Sequence, residues 1–160
     1  MDSLHPDLAS LAFLLGTWEG HGTGIYPTVD GFTYRESSTF FAPHAKPFIV
    51  YQQKTWRGND HPGAESLHAE AGYLRPSGTT RVEMALTQPT GIVEVLHGQV
   101  ADGKISLKST LVGLTDTAKR VETVERNISV DGDIMKYELL MSAMGESHQI
   151  HLEARLERAR

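Results

Sequence analysis

A ten-stranded antiparallel β-barrel with one short helix at its N-terminus is the fold this sequence predicts, and three observations predict it. Beyond residue 16, apolar and polar residues alternate in segments of about eight to twelve residues. Those segments break at turn-forming clusters, among them Pro76-Ser-Gly78, Pro89-Thr-Gly91, Ala101-Asp-Gly103 and Asp131-Gly132-Asp133. The connections are short, so successive strands pair as hairpins, and a sheet of that many strands must expose two edges or curl shut.

Taken in order, residues 6–15 carry Leu8, Leu11, Phe13, Leu14 and Leu15 in helical spacing, with Gly16 placed to stop them. Strands follow at 17–25, 32–42, 47–57, 65–75, 80–88, 91–100, 103–112, 118–128, 134–144 and 147–157. Parity marks interior faces: Val82, Met84, Leu86 and Gln88 share one in the fifth strand, and Met135, Tyr137, Leu139, Met141 and Ala143 share one in the ninth. The paired methionines suit either a soft ligand wall or an ordinary core that uses Met as filler. A closed barrel of this strand number holds a ligand, as lipocalins and fatty-acid-binding proteins do.

The 160 residues, 39% hydrophobic and 22% charged, suit one domain over 1–160 with one sizeable core. With no cysteine, disulfides and thiol catalysis are excluded, and the cytoplasm is the expected compartment. The N-terminus lacks a basic leader, and its apolar stretch is about half of what spans a bilayer, so no membrane is expected. A net charge of −5 with scattered basic residues argues against nucleic acid. Monomer and homodimer both remain open.

Eight histidines, at 5, 21, 44, 61, 68, 97, 148 and 151, form no zinc signature. His148 and His151, three apart on a strand, face opposite ways and would not share one ion. A single imidazole suffices to ligate heme iron and leaves the other iron face open; the plain alternative for His151 is a solvated or hydrogen-bonded side chain. Glycines 20, 22 and 24 clear one face of the first strand, as a flat ligand, a crossing strand or a sharp bend would require. Glu65 with Glu70, and Asp131 with Asp133, read as solvated rim and turn residues. The arginines mostly bracket turns and strand ends, leaving little to seat a fatty acid carboxylate.

The block Gly16-x-Trp18-x-Gly20-x-Gly22, followed by Tyr26-Pro27-Thr28, resembles the signature of the nitrobindin family. Lys46-Pro-Phe-Ile-Val-Tyr51, His68-Ala-Glu-Ala-Gly-Tyr-Leu-Arg75, Gln88-Pro-Thr-Gly-Ile-Val-Glu94 and His151-Leu-Glu-Ala-Arg-Leu-Glu-Arg158 resemble the same family in the same order. Its members are heme-binding ten-stranded barrels described as peroxynitrite isomerases. The resemblance implies one ferric heme b per chain, held by His151, the histidine before Leu in the terminal motif and so the catalytic residue. It further implies a heme-contacting Thr28, pocket residues His68, Gln88 and Met141, and a propionate contact from Lys119. Reactive nitrogen species would be the partners: peroxynitrite isomerised to nitrate, and nitric oxide bound at the open iron position. A carrier barrel without chemistry, or a nitric oxide sensor, is the alternative.

One conflict stands. In the tenth strand Ile150, Leu152, Ala154 and Leu156 share the apolar parity, which puts His151 on the outer face with Gln149, Glu153 and Arg155. A place near the barrel mouth, or an apolar face turned to a partner or to the helix, would relieve it.

Overall fold

The computed structural model describes residues 4–58 and 65–160, and His61 lies outside them. Its first element is a 3-10 helix, Pro6–Leu14, rather than an amphipathic α-helix. The reason is in the spacing. Leu8, Leu11 and Leu14 recur every three residues and are all fully buried, which is the period at which side chains eclipse in a 3-10 helix. Behind the helix, the Trp18 indole donates to the Leu14 carbonyl at 2.8 Å, and the Arg158 guanidinium lies 4.1 Å over the Trp18 ring while bonding the Phe13 and Leu15 carbonyls. This assembly closes one end of the barrel.

Ten strands follow: β1 Gly16–Tyr26, β2 Val29–Phe41, β3 Ile49–Arg57, β4 Ser66–Pro76, β5 Arg81–Thr87, β6 Ile92–Ala101, β7 Lys104–Leu114, β8 Val121–Asp131, β9 Ile134–Ala143 and β10 Gln149–Arg158. Each pairs antiparallel with its neighbour in sequence, and β1 pairs with β10 from Trp18↔Arg158 to Gly24↔Leu152, so the sheet closes. Predicted and observed strands agree to within two residues except at β2, which begins at Val29 rather than at 32, and at β8, which begins at Val121 because Asp116–Ala118 form a turn, Ala118 N–H bonding the Thr115 carbonyl at 3.1 Å. At the β6–β7 hairpin, Asp102 and Gly103 both take positive φ, 50° and 72°, as a two-residue turn of matching twist requires.

Near the helix the interior is apolar, with Trp18, Phe40, Ile49, Leu74, Leu96, Ile105, Leu107 and Leu156 packed together. Further along the barrel it becomes polar: Glu36, Ser38, Gln53, Glu70, Glu94 and Arg126 are all buried. The fifth and ninth strands present the expected faces, with Val82, Met84, Leu86, Met135, Leu139 and Ala143 buried. The cleared face of β1 is filled by protein rather than left open. A Cβ on Gly20 would lie 2.2 Å from the Arg155 carbonyl of β10, and Cβ atoms on Gly22 and Gly24 would strike the rings of Tyr34 and Phe32. Among the described residues no helix is long and apolar enough to cross a membrane.

Candidate functional site

The β1–β2, β3–β4, β5–β6, β7–β8 and β9–β10 connections all lie at the end of the barrel opposite the helix. His151 sits there, and the local register explains its position. Ile150 pairs with Leu140 and Leu152 with Leu139, so His151 is an extra residue in a β-bulge. The bulge resets parity: Ile150 is exposed, whereas Leu152, Ala154 and Leu156 pack on the core. Alternation therefore fails to describe His151 because the strand slips by one residue at that point.

Three neighbours hold the ring. His151 Nδ1 lies 3.2 Å from the Ile25 carbonyl oxygen, which can only accept, so Nδ1 carries the proton and Nε2 keeps its lone pair. Tyr26 and Phe32 meet the imidazole edge-to-face with centroids 5.5 and 6.3 Å away. Tyr26 is itself locked, its hydroxyl accepting from Ala143 N–H at 2.8 Å and donating to the Met141 and Ala143 carbonyls, each at 3.3 Å. Burial lowers the His151 pKa; the Ile25 hydrogen bond opposes this and His68 adds to it. The ring is neutral at pH 7.

Of the other predicted residues, His68 on β4 is half-buried, with Nε2 3.8 Å from Glu70, and close enough for its charge to act on His151. Gln88, just past β5, is partly buried and donates to Glu70 at 3.1 Å and Glu94 at 2.5 Å. Met141 on β9 is partly buried against the core. Thr28 and Lys119 are exposed, in the β1–β2 and β7–β8 connections of the same end. His148 is at the same end, in the β9–β10 connection, but is turned to β8, bonding Thr123 at 3.0 Å and Glu125 at 3.2 Å. The motif residues Gly16, Trp18, Gly20 and Gly22 serve the closed end and the β1 contacts with β2 and β10.

Beneath the mouth lies a set of groups that sequence reading misplaced. Glu70 is not a solvated rim residue but 5% exposed, and Arg126 is not at a strand end but inside the barrel, on β8. Arg126 donates to both Glu70 oxygens at 2.8 and 2.7 Å and to both Glu94 oxygens at 3.1 and 2.8 Å. Burial alone would raise the Glu70 carboxyl, yet Arg126 and His68 hold it well below the usual carboxylate range. Beside this triad, Glu36 accepts from Ser38, Gln53 and Tyr137 around an interior cavity of about 30 Å³, room for about one water. The signal was in the parity: Glu36 shares a face with Tyr34 and Ser38, Glu94 with Ile92 and Leu96, and Arg126 with Val124 and Ile128.

The donor set suits one group in particular. Among the described residues no three or more His, Asp or Glu side chains gather as they would around a bare metal ion. A single neutral imidazole, oriented by a carbonyl and two rings, matches the axial support of a metal macrocycle.

Comparison with known proteins agrees. The family described as the THAP4-like, heme-binding β-barrel domain matches residues 7–158. The chain is 46% identical to peroxynitrite isomerase 2 of Mycobacterium avium (strain 104), covering 98% of both. It is 44% identical to the peroxynitrite isomerase of Nocardia farcinica (strain IFM 10152), covering 98% of this chain and 93% of the other. The crystal structure of Rv2717c from M. tuberculosis superposes with a TM-score of 0.90 at 39% identity, over 99% of this chain and all of that one. By sequence and architecture together, this chain belongs to the THAP4-like heme-binding β-barrel family, the nitrobindins.

Proposed function

We propose that this barrel carries one ferric heme b on His151 and isomerises peroxynitrite to nitrate. The observation that carries the reading is the bulged His151, neutral, with its Nδ1 proton committed to Ile25 and its Nε2 lone pair available. Relatives named peroxynitrite isomerase, 44–46% identical over nearly the full length, supply the reaction. Heme would be held there by His151 and would supply an iron able to bind peroxynitrite or nitric oxide.

The remaining work falls to the chain. Tyr26 and Phe32 keep the imidazole in one orientation, and their rings exclude water from its flanks. Met141 contributes apolar wall, and His68 and Gln88 bring the nearest polar groups, both tied to Glu70. Thr28 and Lys119 stand at the rim, where Lys119 offers a cation for a propionate. Peroxynitrite and nitrate share one composition and one charge, so the reaction consumes no proton, and a mouth without a free acid–base pair is adequate to it.

The fatty-acid carrier reading loses ground on a specific observation. Arg126 is the interior cation such a carrier would use, but Glu70 and Glu94 already claim two donor edges of its guanidinium. An incoming carboxylate would meet excess negative charge.

A hemin titration followed by absorbance, on the wild type, His151→Ala and His148→Ala, tests the proposal. The expected result is a saturable one-to-one Soret band that disappears only with His151→Ala. Loss with His148→Ala instead, or no specific band in the wild type, would overturn the axial assignment. Stopped-flow decay of peroxynitrite by the loaded protein then separates an isomerase from a nitric oxide sensor, which would bind without turnover.

A further inference from the structure

Two phenols meet carboxylates inside this barrel, the buried Tyr51 and the half-buried Tyr137, in different circumstances. Tyr51 donates to Glu70 at 3.0 Å, but that carboxylate is already committed to Arg126. Tyr137 donates to Glu36 Oε2 at 2.5 Å, and Glu36, 1% exposed, has no cation within ion-pair distance among the described residues. Its other oxygen accepts from Ser38 Oγ at 2.5 Å and Gln53 Nε2 at 3.1 Å. Three donors converge on Glu36, and their hydrogen bonds favour its carboxylate form against the burial that opposes it.

Direction follows from the proton count. Tyr137 spends its proton on Glu36, so the 2.6 Å contact between the Tyr34 and Tyr137 oxygens carries the Tyr34 proton. The donors therefore run one way, from Tyr34 through Tyr137 to Glu36. At the other end, Tyr34 lies against Phe32 with ring centroids 6.1 Å apart, and Phe32 lies 6.3 Å from His151. A line of rings thus joins the mouth to a buried base.

Burial, with the Glu36 charge, pushes both phenols well above their ordinary pKa, so neither ionises at neutral pH. Such a phenol gives up an electron readily only if its proton has an acceptor in line. Burial also raises the Glu36 carboxyl, which makes it the better base, whereas Arg126 holds Glu70 down.

We infer that Tyr34, Tyr137 and Glu36 form a proton-coupled redox relay that supplies one electron to an oxidising radical at the barrel mouth. The oxidant class is nitrogen dioxide, the radical left when peroxynitrite breaks homolytically; only this identity rests on the proposed function. Tyr34 loses one electron past Phe32, and nitrogen dioxide gains it to become nitrite. The Tyr34 O–H bond breaks as its proton passes to the Tyr137 oxygen, and the Tyr137 O–H bond breaks as its proton passes to Glu36 Oε2. Tyr34 ends as a neutral phenoxyl, Tyr137 as a phenol again and Glu36 as a carboxylic acid. The relay draws radical damage away from His151 and its neighbours.

Flash oxidation of the full chain by photogenerated ruthenium(III) tris-bipyridine tests this without heme. The background is Tyr73→Phe, because Tyr73 is exposed and would react directly. The expected result is a phenoxyl signal, in absorbance and electron paramagnetic resonance, that Tyr34→Phe removes and Tyr51→Phe leaves unchanged. Glu36→Gln and Tyr137→Phe should each slow its formation by about tenfold or more, and heavy water by about twofold. A signal that survives Tyr34→Phe, or forms equally fast in Glu36→Gln, overturns the relay. Circular dichroism checks each fold, and should Glu36→Gln not fold, Tyr137→Phe interrupts the same path with its ring and the carboxylate intact. The hemin titration is scored separately, so failure of heme binding and failure of the relay are distinguishable.

Discussion

His151 gains its chemical character from Ile25, Tyr26 and Phe32, which lie more than a hundred positions earlier in the chain. Burial lowers its pKa, and this has a pH signature. The unfolded imidazole takes up a proton near pH 6.5, the folded one only at lower pH. Unfolding therefore binds protons in that window, and the stability contributed by neutral His151 is whole above about pH 6.5 and lost as pH falls beneath it. Urea titrations of the heme-free chain between pH 7.5 and 5 should show this loss, and His151→Gln should flatten it. The terminal motif made His151 legible in the sequence; its tautomer was not, because the partner that sets it is a backbone carbonyl on another strand.

The strands were legible because each carries its own alternation and its own turn signals, both local properties. Alternation misled at the bulge of His151, where a tertiary contact overrides it. At the glycine face of β1, where the sequence left a ligand, a neighbouring strand or a bend open, Gly20 admits the backbone of β10 and Gly22 and Gly24 admit rings from β2. Gly20→Ala should cost about 1–3 kcal/mol, since its Cβ would sit 2.2 Å from a backbone oxygen that has no rotamer to yield. Gly31→Ala, whose Cβ would meet nothing nearer than 3.8 Å, should stay within about 0.5 kcal/mol. Thermal unfolding of the two variants measures the difference.

The barrel as a whole is apolar where the helix closes it and polar toward the mouth, and the polar part depends on one cation. Arg126→Met would leave Glu70 and Glu94 facing each other without a counter-charge, at a cost of roughly 3–5 kcal/mol. The triple variant Arg126→Met, Glu70→Gln, Glu94→Gln should recover most of that loss, and mild acid should partly rescue the single variant by protonating the carboxylates. Denaturant titrations at two pH values read both outcomes; a triple variant no more stable than the single would show that the cost is packing rather than charge.

By itself the sequence determined the barrel, its strand order and the candidate ligand, because alternation, turn chemistry and the terminal motif are each written within a short stretch of chain. The tertiary structure decided which carboxylates are buried and paired, which imidazole nitrogen is free and where strand parity breaks. The first depends on Glu36, Glu70, Glu94, Arg126 and Tyr137, brought together from five different strands, the second on the Ile25 carbonyl of β1 and the third on the β9–β10 register. Parity places Glu36, Glu94 and Arg126 on inward faces, but which of them pair, and at what cost, is decided only when the sheet closes and removes the water around them.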